Sequence, residues 1–364
     1  MAAPSPRPGI LDISPYVAGA SSAAAAPDGR ISRLAANESP LGPSPRAIEA
    51  FSNAADSLHR YPDGSAAALR AALADHHGID AAGIVCGNGS DELLALLAKC
   101  YAGPGDEVLF SEYGFLIYPI VTRASGATPV TAPEVHLRAD VEAFAGLLSA
   151  QTRMVFLANP NNPTGSYITA AEMRELHGRL PGDCLLVIDA AYAEYVTAED
   201  YDGGFAMVEA FDNVVITRTF SKLYGLAGLR LGWAYCPPAV ADVLNRVRGP
   251  FNVTAPSQAA ALAALADHAH AARAKAHNAQ WLPWLTGELR ALGITVHPSV
   301  ANFVLVDFPG RADAARADLL RHGVVVREMG GYGLPDALRI AIGLEEDMRA
   351  VVAACAEFTA KREG

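Results

Sequence analysis

The sequence predicts an α/β protein, in which helices cover both faces of a mostly parallel sheet. Three observations favour this class. From about residue 45 onward, short apolar runs alternate with helical segments. The runs are continuously apolar, as expected for strands that are buried on both faces. The chain also has 364 residues, 51% of them hydrophobic, which suffices for one large domain or for two domains.

The large domain is predicted at residues 45–250. Its predicted strands are 83–86, 107–110, 154–157, 184–188 and 214–217. Its predicted helices are 45–57, 66–77, 91–101, 138–149 and 169–180. Because helices separate the strands along the chain, a parallel sheet is the expected arrangement.

A smaller α+β domain is predicted at residues 251–364, where an Ala-rich helical stretch at about 256–292 marks the boundary. Its predicted strands are 302–307, 323–327 and 337–342, with a helix at about 311–322 and a closing helix after residue 345. Residues 1–44 are predicted to form an N-terminal arm, since the first 30 residues are rich in Pro, Ser and Ala.

Composition excludes several classes of partner. The formal net charge is −11 and no Lys/Arg run stands out, so no nucleic-acid partner is expected. The five cysteines are scattered, which argues against a zinc site and favours reduced thiols in the cytoplasm. No apolar stretch reaches the length of a membrane span, and the first residues lack the apolar core of a signal peptide. A soluble cytoplasmic protein without bound metal is therefore expected.

Lys222 is the most informative residue. It follows the apolar run 214–216, stands beside Ser221 and precedes Arg230. Lysine is the side chain that forms an imine with an aldehyde, because its amine loses its proton readily once it is desolvated. A single Ser-Lys dipeptide is more often a solvated loop, so the rest of the chain has to support the chemical interpretation.

Three further segments follow predicted strands, and in open α/β sheets ligands bind at the carboxyl ends of strands. The segment 87–92 opens a helix and offers Ser90 and Asp91 near free N–H groups that suit a phosphate, although a plain strand–turn–helix is an equal alternative. Asn162 lies in a Pro/Asn-rich turn and can donate to a phenolic oxygen. Asp189 is either a helix N-cap or the partner of a protonated ring nitrogen, with Tyr192 close to it in sequence.

Together these groups constitute a pocket for pyridoxal phosphate. They comprise an imine lysine, a carboxylate for the ring nitrogen, donors to the phenolic oxygen and anchors for the phosphate. Four such elements in this order on successive apolar strands are hard to obtain by chance.

The chain resembles the aspartate-aminotransferase-fold (fold type I) family of pyridoxal phosphate enzymes, and within it the branch of histidinol-phosphate aminotransferases. The resemblance extends from about residue 13 to about residue 339. It implies a seven-stranded, mostly parallel sheet in the large domain. The motifs that carry it are Ala36-Asn37-Glu38-Ser39-Pro40, Arg60-Tyr61-Pro62-Asp63-Gly64, Gly87-Asn88-Gly89-Ser90-Asp91-Glu92, Asn161-Asn162-Pro163-Thr164-Gly165, Asp189-Ala190-Ala191-Tyr192 and Thr219-Phe220-Ser221-Lys222.

The resemblance also implies roles at matching positions. Lys222 would bind the cofactor and move the substrate proton, while Asp189 would hold the ring nitrogen and Phe115 would stack on the ring. Asn162 and Tyr192 would contact the phenolic oxygen, and both are expected in the cofactor site. The phosphate would contact Ser90, Asp91, Ser221, Arg230 and, from the partner subunit of a homodimer, Tyr61. Tyr113 is a rival to Phe115, and Tyr118 is expected to pack in the core.

For the substrate, the resemblance implies contacts from Tyr16, Asn37, Arg327 and Arg339. Arg339 would bind the carboxylate of glutamate or 2-oxoglutarate, and Arg327 with Tyr16 would help to receive the phosphate of histidinol phosphate. The arm that carries Tyr16 would act as a lid.

Other functions remain open at this point. An aromatic amino acid aminotransferase or a threonine-phosphate decarboxylase would share the pocket. A non-catalytic cofactor sensor needs a DNA-binding module, for which the segment before residue 45 is too short. A nicotinamide oxidoreductase would use the loop at Gly87, but that loop lacks the third glycine of the dinucleotide fingerprint.

Overall fold

The computed structural model describes residues 4–17 and 29–361. The Ser/Ala run at 21–26, on which part of the arm prediction depends, lies outside the described residues. From residue 45 onward helices and strands alternate as predicted.

The central sheet has seven strands and confirms the predicted α/β class. The strands of the described chain are β1 (Ser32–Arg33), β2 (Ile84–Gly87), β3 (Glu107–Ser111), β4 (Thr128–Ala132), β5 (Thr152–Ala158), β6 (Leu185–Asp189), β7 (Val214–Thr219), β8 (Gly232–Tyr235), β9 (Thr295–Val296), β10 (Phe303–Asp307), β11 (Val324–Val325), β12 (Arg327–Glu328) and β13 (Ala337–Ala341). The central order is β2-β8-β7-β6-β5-β3-β4. All neighbours are parallel except β8, which runs antiparallel to both β7 and β2.

Sequence reasoning missed two of the seven strands of the central sheet. β4 contains Pro129, which cannot donate to a ladder, and the strand lies at the edge of the sheet, where proline is tolerated. β8 begins with Gly232 directly after the segment of Lys222, and its four residues are too few to show a pattern.

Helices cover both faces of the central sheet. The helices of the described chain, which include those on the second sheet, are α1 (Pro45–Asn53), α2 (Ala67–His77), α3 (Ser90–Tyr101), α4 (Ile117–Ser125), α5 (Val141–Ala145), α6 (Ala170–Arg179), α7 (Phe205–Ala210), α8 (Pro238–Val247), α9 (Ala255–Ala266), α10 (His268–Ala291), α11 (Ala312–Arg321) and α12 (Glu345–Ala360). The predicted helix 138–149 was too long, since Asp140 caps α5 and the helix ends before Gly146. The predicted stretch 256–292 is two helices, because Asp267 leaves helical geometry and its carboxylate accepts a bond from the His270 N–H, which begins α10.

The C-terminal part contains a second, antiparallel sheet in the order β12-β13-β10-β9. α9 packs against α1 and α2, whereas the later turns of α10 contribute Trp281, Leu285 and Leu289 to the core beneath the second sheet. The domain boundaries at 44 and 250 stay predictions. The arm is connected to this part by the parallel pair β1–β11 and by the hydroxyl of Ser32, which donates to Asp347 at 2.6 Å.

Within the described residues, no helix combines the length and the apolar character that crossing a membrane requires.

Candidate active site

A cleft of about 400 Å³ lies at the carboxyl ends of β5, β6 and β7, between the arm and the second sheet. The predicted site residues that line this cleft are Tyr16, Asn37, Ser90, Asp91, Phe115, Asn162, Asp189, Tyr192, Ser221, Lys222, Arg230, Arg327 and Arg339. Residues distant in sequence therefore meet in one place, because parallel strands present their carboxyl ends at one edge of the sheet. Their individual roles stay predictions.

Lys222 follows β7 and is half-buried. Its Nζ donates to the carbonyl of Ala36 at 3.0 Å, a neutral partner. Burial, with the positive charge of Arg339 second, lowers the pKa of the Lys222 amine to about 8. The loop is held in place by Gly225 (φ +68), where a Cβ would lie 2.4 Å from the carbonyl oxygen of Gly42. The amine therefore has an appreciable neutral, nucleophilic fraction near pH 8.

Asp189 ends β6 and is 6% exposed. Burial raises the pKa of its carboxyl to about 6, even though the hydroxyl of Tyr118 donates to Oδ2 at 2.9 Å and that of Thr217 to Oδ1 at 3.2 Å. No cationic side chain within residues 4–17 and 29–361 forms an ion pair with it. A buried carboxylate without a cation is suited to a cationic ligand.

The start of α3 and the loop before β8 form a corner suited to an anion. Arg230 adopts a left-handed conformation (φ +48), and its Nη2 lies 3.1 Å from Oδ2 of Asp91. At Gly232 a Cβ would lie 2.4 Å from the backbone N of Ser90, so only glycine allows β8 to approach the helix so closely. The free N–H groups of a helix start, a guanidinium and the hydroxyl of Ser221 together suit a phosphate.

Tyr192 and Arg339 also line the cleft. The hydroxyl of Tyr192 accepts a bond from Nδ2 of Asn37 at 2.9 Å. Arg339 is 5% exposed; its Nη1 donates to Oδ1 of Asn162 and its Nη2 to the carbonyl of Ala35 at 2.8 Å. Because the amide oxygen of Asn162 already has this donor, its Nδ2 group is the part that can donate to a ligand.

Tyr16 of the arm lines the cleft beside Arg327. Arg327 is half-buried and donates from Nη2 to the carbonyl of Val17 at 2.6 Å. Its guanidinium carbon lies 5.9 Å from the ring centre of Tyr16, whose ring meets that of Phe115 edge-on at 6.4 Å. The arm residue and the cation predicted for the substrate are thus adjacent.

The two predicted aromatic residues lie in different places. Phe115 lines the cleft and its rival Tyr113 does not. Tyr61 lies outside this cleft: it is 82% exposed and stacks on Phe251 at 4.6 Å. Its predicted contribution to the site of a partner subunit stays a prediction.

Sequence reasoning missed Tyr118 and Thr217 as partners of Asp189. Tyr118 packs in the core as expected, but its hydroxyl faces the site. Thr217 is directly opposite Asp189 in the β6–β7 register. Pairing the two apolar runs at their polar ends would have found Thr217, and the i, i+3 spacing of Phe115 and Tyr118 was a signal for the tyrosine.

The sheet order, the lysine after β7 and the buried acid that ends β6 define the class: an α/β protein of the aspartate aminotransferase fold. The sequence profile of the family described as aminotransferase class I and II matches residues 30–354, and the chain belongs to this family.

Several relatives are similar over almost their whole length. A protein of Paramagnetospirillum magneticum named histidinol-phosphate aminotransferase is 58% identical over 98% of this chain and 99% of its own. One of Rhodospirillum centenum with the same name is also 58% identical, over 98% and 99%. The solved histidinol-phosphate aminotransferase of Sinorhizobium meliloti, in complex with pyridoxal-5'-phosphate, has a TM-score of 0.88 and 30% identity and covers 99% of both chains. An aspartate aminotransferase of Thermus thermophilus, at 22% identity and a TM-score of 0.79 over 90% of this chain and 91% of its own, shares the fold.

Proposed function

We propose that this chain is a pyridoxal-phosphate-dependent aminotransferase that exchanges an amino group between glutamate and histidinol phosphate, with 2-oxoglutarate and imidazole-acetol phosphate as the keto partners, in histidine biosynthesis. The observation that carries the proposal is the pairing, in one cleft, of an amine with a lowered pKa and a buried acid without a countercharge. The names of relatives that are 58% identical over nearly the whole chain support the substrate.

The residues of the cleft fit the cofactor. A protonated ring nitrogen would supply the cation that Asp189 lacks, and Lys222 would hold the aldehyde carbon covalently. Ser90, Ser221 and Arg230 would hold the phosphate at the anion corner. When bound, the cofactor supplies an electron sink for the carbanion formed at Cα of the amino acid.

Three side chains of the cleft would have separate roles in the reaction. Once the amino group of the substrate has displaced it from the aldehyde carbon, the Lys222 amine would take the proton from Cα and deliver it to that carbon of the cofactor. A pKa near 8 suits a group that must both accept and release a proton close to neutral pH. Asp189 would hold the proton of the ring nitrogen. Arg339, which has only neutral partners in the described chain, would bind the α-carboxylate of the substrate.

The distal end of the substrate would reach Arg327 and Tyr16. Both line the cleft at its mouth, where a phosphate ester or the second carboxylate of glutamate would meet a guanidinium. Arg327 donates to the carbonyl of Val17 in the arm. An anion bound to Arg327 would therefore favour the closed position of the arm, and the closed arm would favour anion binding. A closed arm would exclude water from the reacting carbon.

We propose that the enzyme is a cytoplasmic homodimer in which Tyr61 reaches the phosphate of the partner's cofactor. Exposed apolar side chains support a contact surface: Phe251 stacks on Tyr61, and Ile48, Phe51 and Leu58 are exposed on the preceding stretch of chain. Sedimentation analysis should give twice the chain mass, and Tyr61→Ala should weaken cofactor affinity without unfolding the chain. A monomer with full activity would contradict this part.

The cofactor assignment is tested by absorption and reduction. The purified protein should absorb in the visible, and borohydride should fix the cofactor to the peptide that contains Lys222. Lys222→Ala should abolish the fixation and lower kcat by about 10⁴-fold, whereas Lys99→Ala, at an exposed lysine, should change neither. Normal turnover by Lys222→Ala would refute the assignment.

The substrate is tested by comparing kcat/KM for histidinol phosphate, phenylalanine and tyrosine with 2-oxoglutarate as acceptor. Histidinol phosphate should exceed the other two by about a hundredfold or more, since an uncharged side chain leaves Arg327 without its anion. Comparable values for all three would leave an aminotransferase of broad specificity and remove the narrower proposal.

A further inference from the structure

Tyr118 lies on α4 with 0% exposure, yet its polar end reaches the active site. Its hydroxyl donates to Oδ2 of Asp189 at 2.9 Å, while the hydroxyl of Thr217 donates to Oδ1 at 3.2 Å. Each carboxylate oxygen therefore accepts one hydroxyl, and the backbone N–H of Ala191 is a further donor to the carboxylate. The two hydroxyls lie on different elements and restrict rotation of the carboxylate, and all three donors are neutral.

The ring of Tyr118 is itself fixed by the sheet. It stacks on Phe156 of β5, with ring centres 4.9 Å apart and planes at 10°, and Phe156 is fully buried. On another side its ring meets Phe115 edge-on, at 6.0 Å and 86°. One side chain thus contacts both the acid expected at the cofactor's ring nitrogen and the aromatic residue expected on the ring face.

We propose that Tyr118 is a positioning residue: its hydroxyl orients the carboxylate of Asp189 toward the ring nitrogen of the cofactor, and its ring supports Phe115 from behind. This inference rests on the proposed function. The titratable groups that face Tyr118 are Asp189, Tyr192 and Tyr332. Burial, and then the charge of Asp189, raise the pKa of the Tyr118 hydroxyl well above its ordinary value, so the hydroxyl remains a donor throughout the working range of pH.

The test compares Tyr118→Phe with Tyr235→Phe in the holoenzyme. Tyr235 is a matched control, since its hydroxyl also donates to a carboxylate, that of Glu209, but it does not line the cleft. Tyr118→Phe should lower kcat about tenfold with KM for glutamate changed less than about twofold, and should move the pH midpoint of the visible absorption by about half a unit or more. Tyr235→Phe should leave both unchanged.

A double-mutant cycle separates positioning from packing. If Tyr118 acts through Asp189, then Tyr118→Phe in an Asp189→Asn background should change kcat by less than about twofold. Fluorotyrosine at position 118 keeps the ring and strengthens the donor, so it should move the absorption midpoint in the direction opposite to phenylalanine. That variant also covers the case in which Tyr118→Phe fails to fold.

Each outcome is decisive. A normal visible spectrum in the wild type together with an unchanged kcat and midpoint in Tyr118→Phe would overturn this inference and leave the proposed function intact. Equal losses in Tyr235→Phe, or undiminished losses in the Asp189→Asn background, would show a merely structural role. A wild type that binds no cofactor would overturn the proposed function, and this inference with it.

Discussion

Asp189 and Glu194 are both buried carboxylates on the loop side of β6, but their partners differ. Glu194 is 9% exposed and lies 3.3 Å from Nη1 of Arg218, which is itself 5% exposed. Asp189 is 6% exposed and accepts hydrogen bonds from neutral donors, namely the hydroxyls of Tyr118 and Thr217 and the backbone N–H of Ala191. The charge of Glu194 is compensated by Arg218, whereas the charge of Asp189 is available to a cationic ligand.

The two buried arginines show the same difference. Arg218 has its carboxylate, and its guanidinium carbon also lies 4.9 Å from the ring centre of Phe205. Arg339 has the amide oxygen of Asn162 and a backbone carbonyl, and no carboxylate within the described chain pairs with it. Buried charges without a countercharge destabilise the protein alone, so their presence in one cleft marks the place where ligand charge is expected.

Breaking the compensated pair should have the largest effect on stability. Arg218→Met leaves Glu194 buried without its cation, and the free energy of unfolding should fall by about 3–5 kcal/mol. Denaturant unfolding of the holoenzyme measures this change. Arg153→Met is the control, because its 2.9 Å pair with Asp183 is solvent-exposed and should contribute less than about 1 kcal/mol. Equal losses from both variants would remove the distinction drawn between buried and exposed pairs.

Replacing Asp189 by asparagine should raise the free energy of unfolding of the cofactor-free protein, whereas Arg218→Met lowers it. The folded-state pKa of Asp189, about 6, lies above its ordinary value of 3.8. The folded state therefore binds a proton more tightly than the unfolded state, and the resulting stability is complete below about pH 4 and is lost as pH rises through about 6. Between those limits the wild type should lose up to about 3 kcal/mol relative to Asp189→Asn.

Urea unfolding of the cofactor-free proteins at several pH values measures this difference. Bound cofactor should reduce it, because a protonated ring nitrogen would keep the carboxylate ionised. If the difference in unfolding free energy between the wild type and Asp189→Asn stays constant from pH 4 to 7, Asp189 has a compensating partner. Asp189 and Glu194 would then not differ in this respect.

Local sequence signals were enough to place Lys222, Asp189 and Asn162 in one cleft. Each follows a continuously apolar run, and such runs become parallel strands whose carboxyl ends share an edge. Those signals could not show which of the charged side chains have an ion-pair partner within the fold. That Asp189 is uncompensated while Glu194 is paired depends on the β6–β7 register and on the rotation of α4, both of which are non-local.

The same limit explains the errors in the fold prediction. β4 was missed because Pro129 weakens its strand pattern, and its pairing with β3 is decided by the sheet and not by its own residues. The break at Asp267 was missed in an Ala-rich stretch whose composition favours helix throughout. At β4 tertiary contacts outweigh local propensity, whereas at Asp267 a single side chain caps the next helix within a helix-favouring composition.

Arg339→Gln tests the uncompensated cation. Glutamine can keep a neutral hydrogen bond to the surrounding acceptors, so stability should change little, while kcat/KM for glutamate should fall about a hundredfold through loss of the carboxylate partner. Steady-state kinetics with glutamate measure the loss, and the unfolding free energy checks the fold. If the variant instead loses stability as Arg218→Met does, Arg339 is a structural cation and not one reserved for substrate.

The smallest effect concerns how Arg339 acts on Lys222. Because the pKa of Lys222 is about 8, its neutral fraction should rise about tenfold from pH 7 to pH 9, and uptake of pyridoxal phosphate by the cofactor-free protein should accelerate in proportion and then level off. Stopped-flow absorbance measures this rate. Arg339 contributes to the lowered pKa after burial, so Arg339→Gln should move the midpoint to higher pH. A rate that still rises through pH 10 in the wild type would show that the pKa of Lys222 is not lowered by burial and by Arg339.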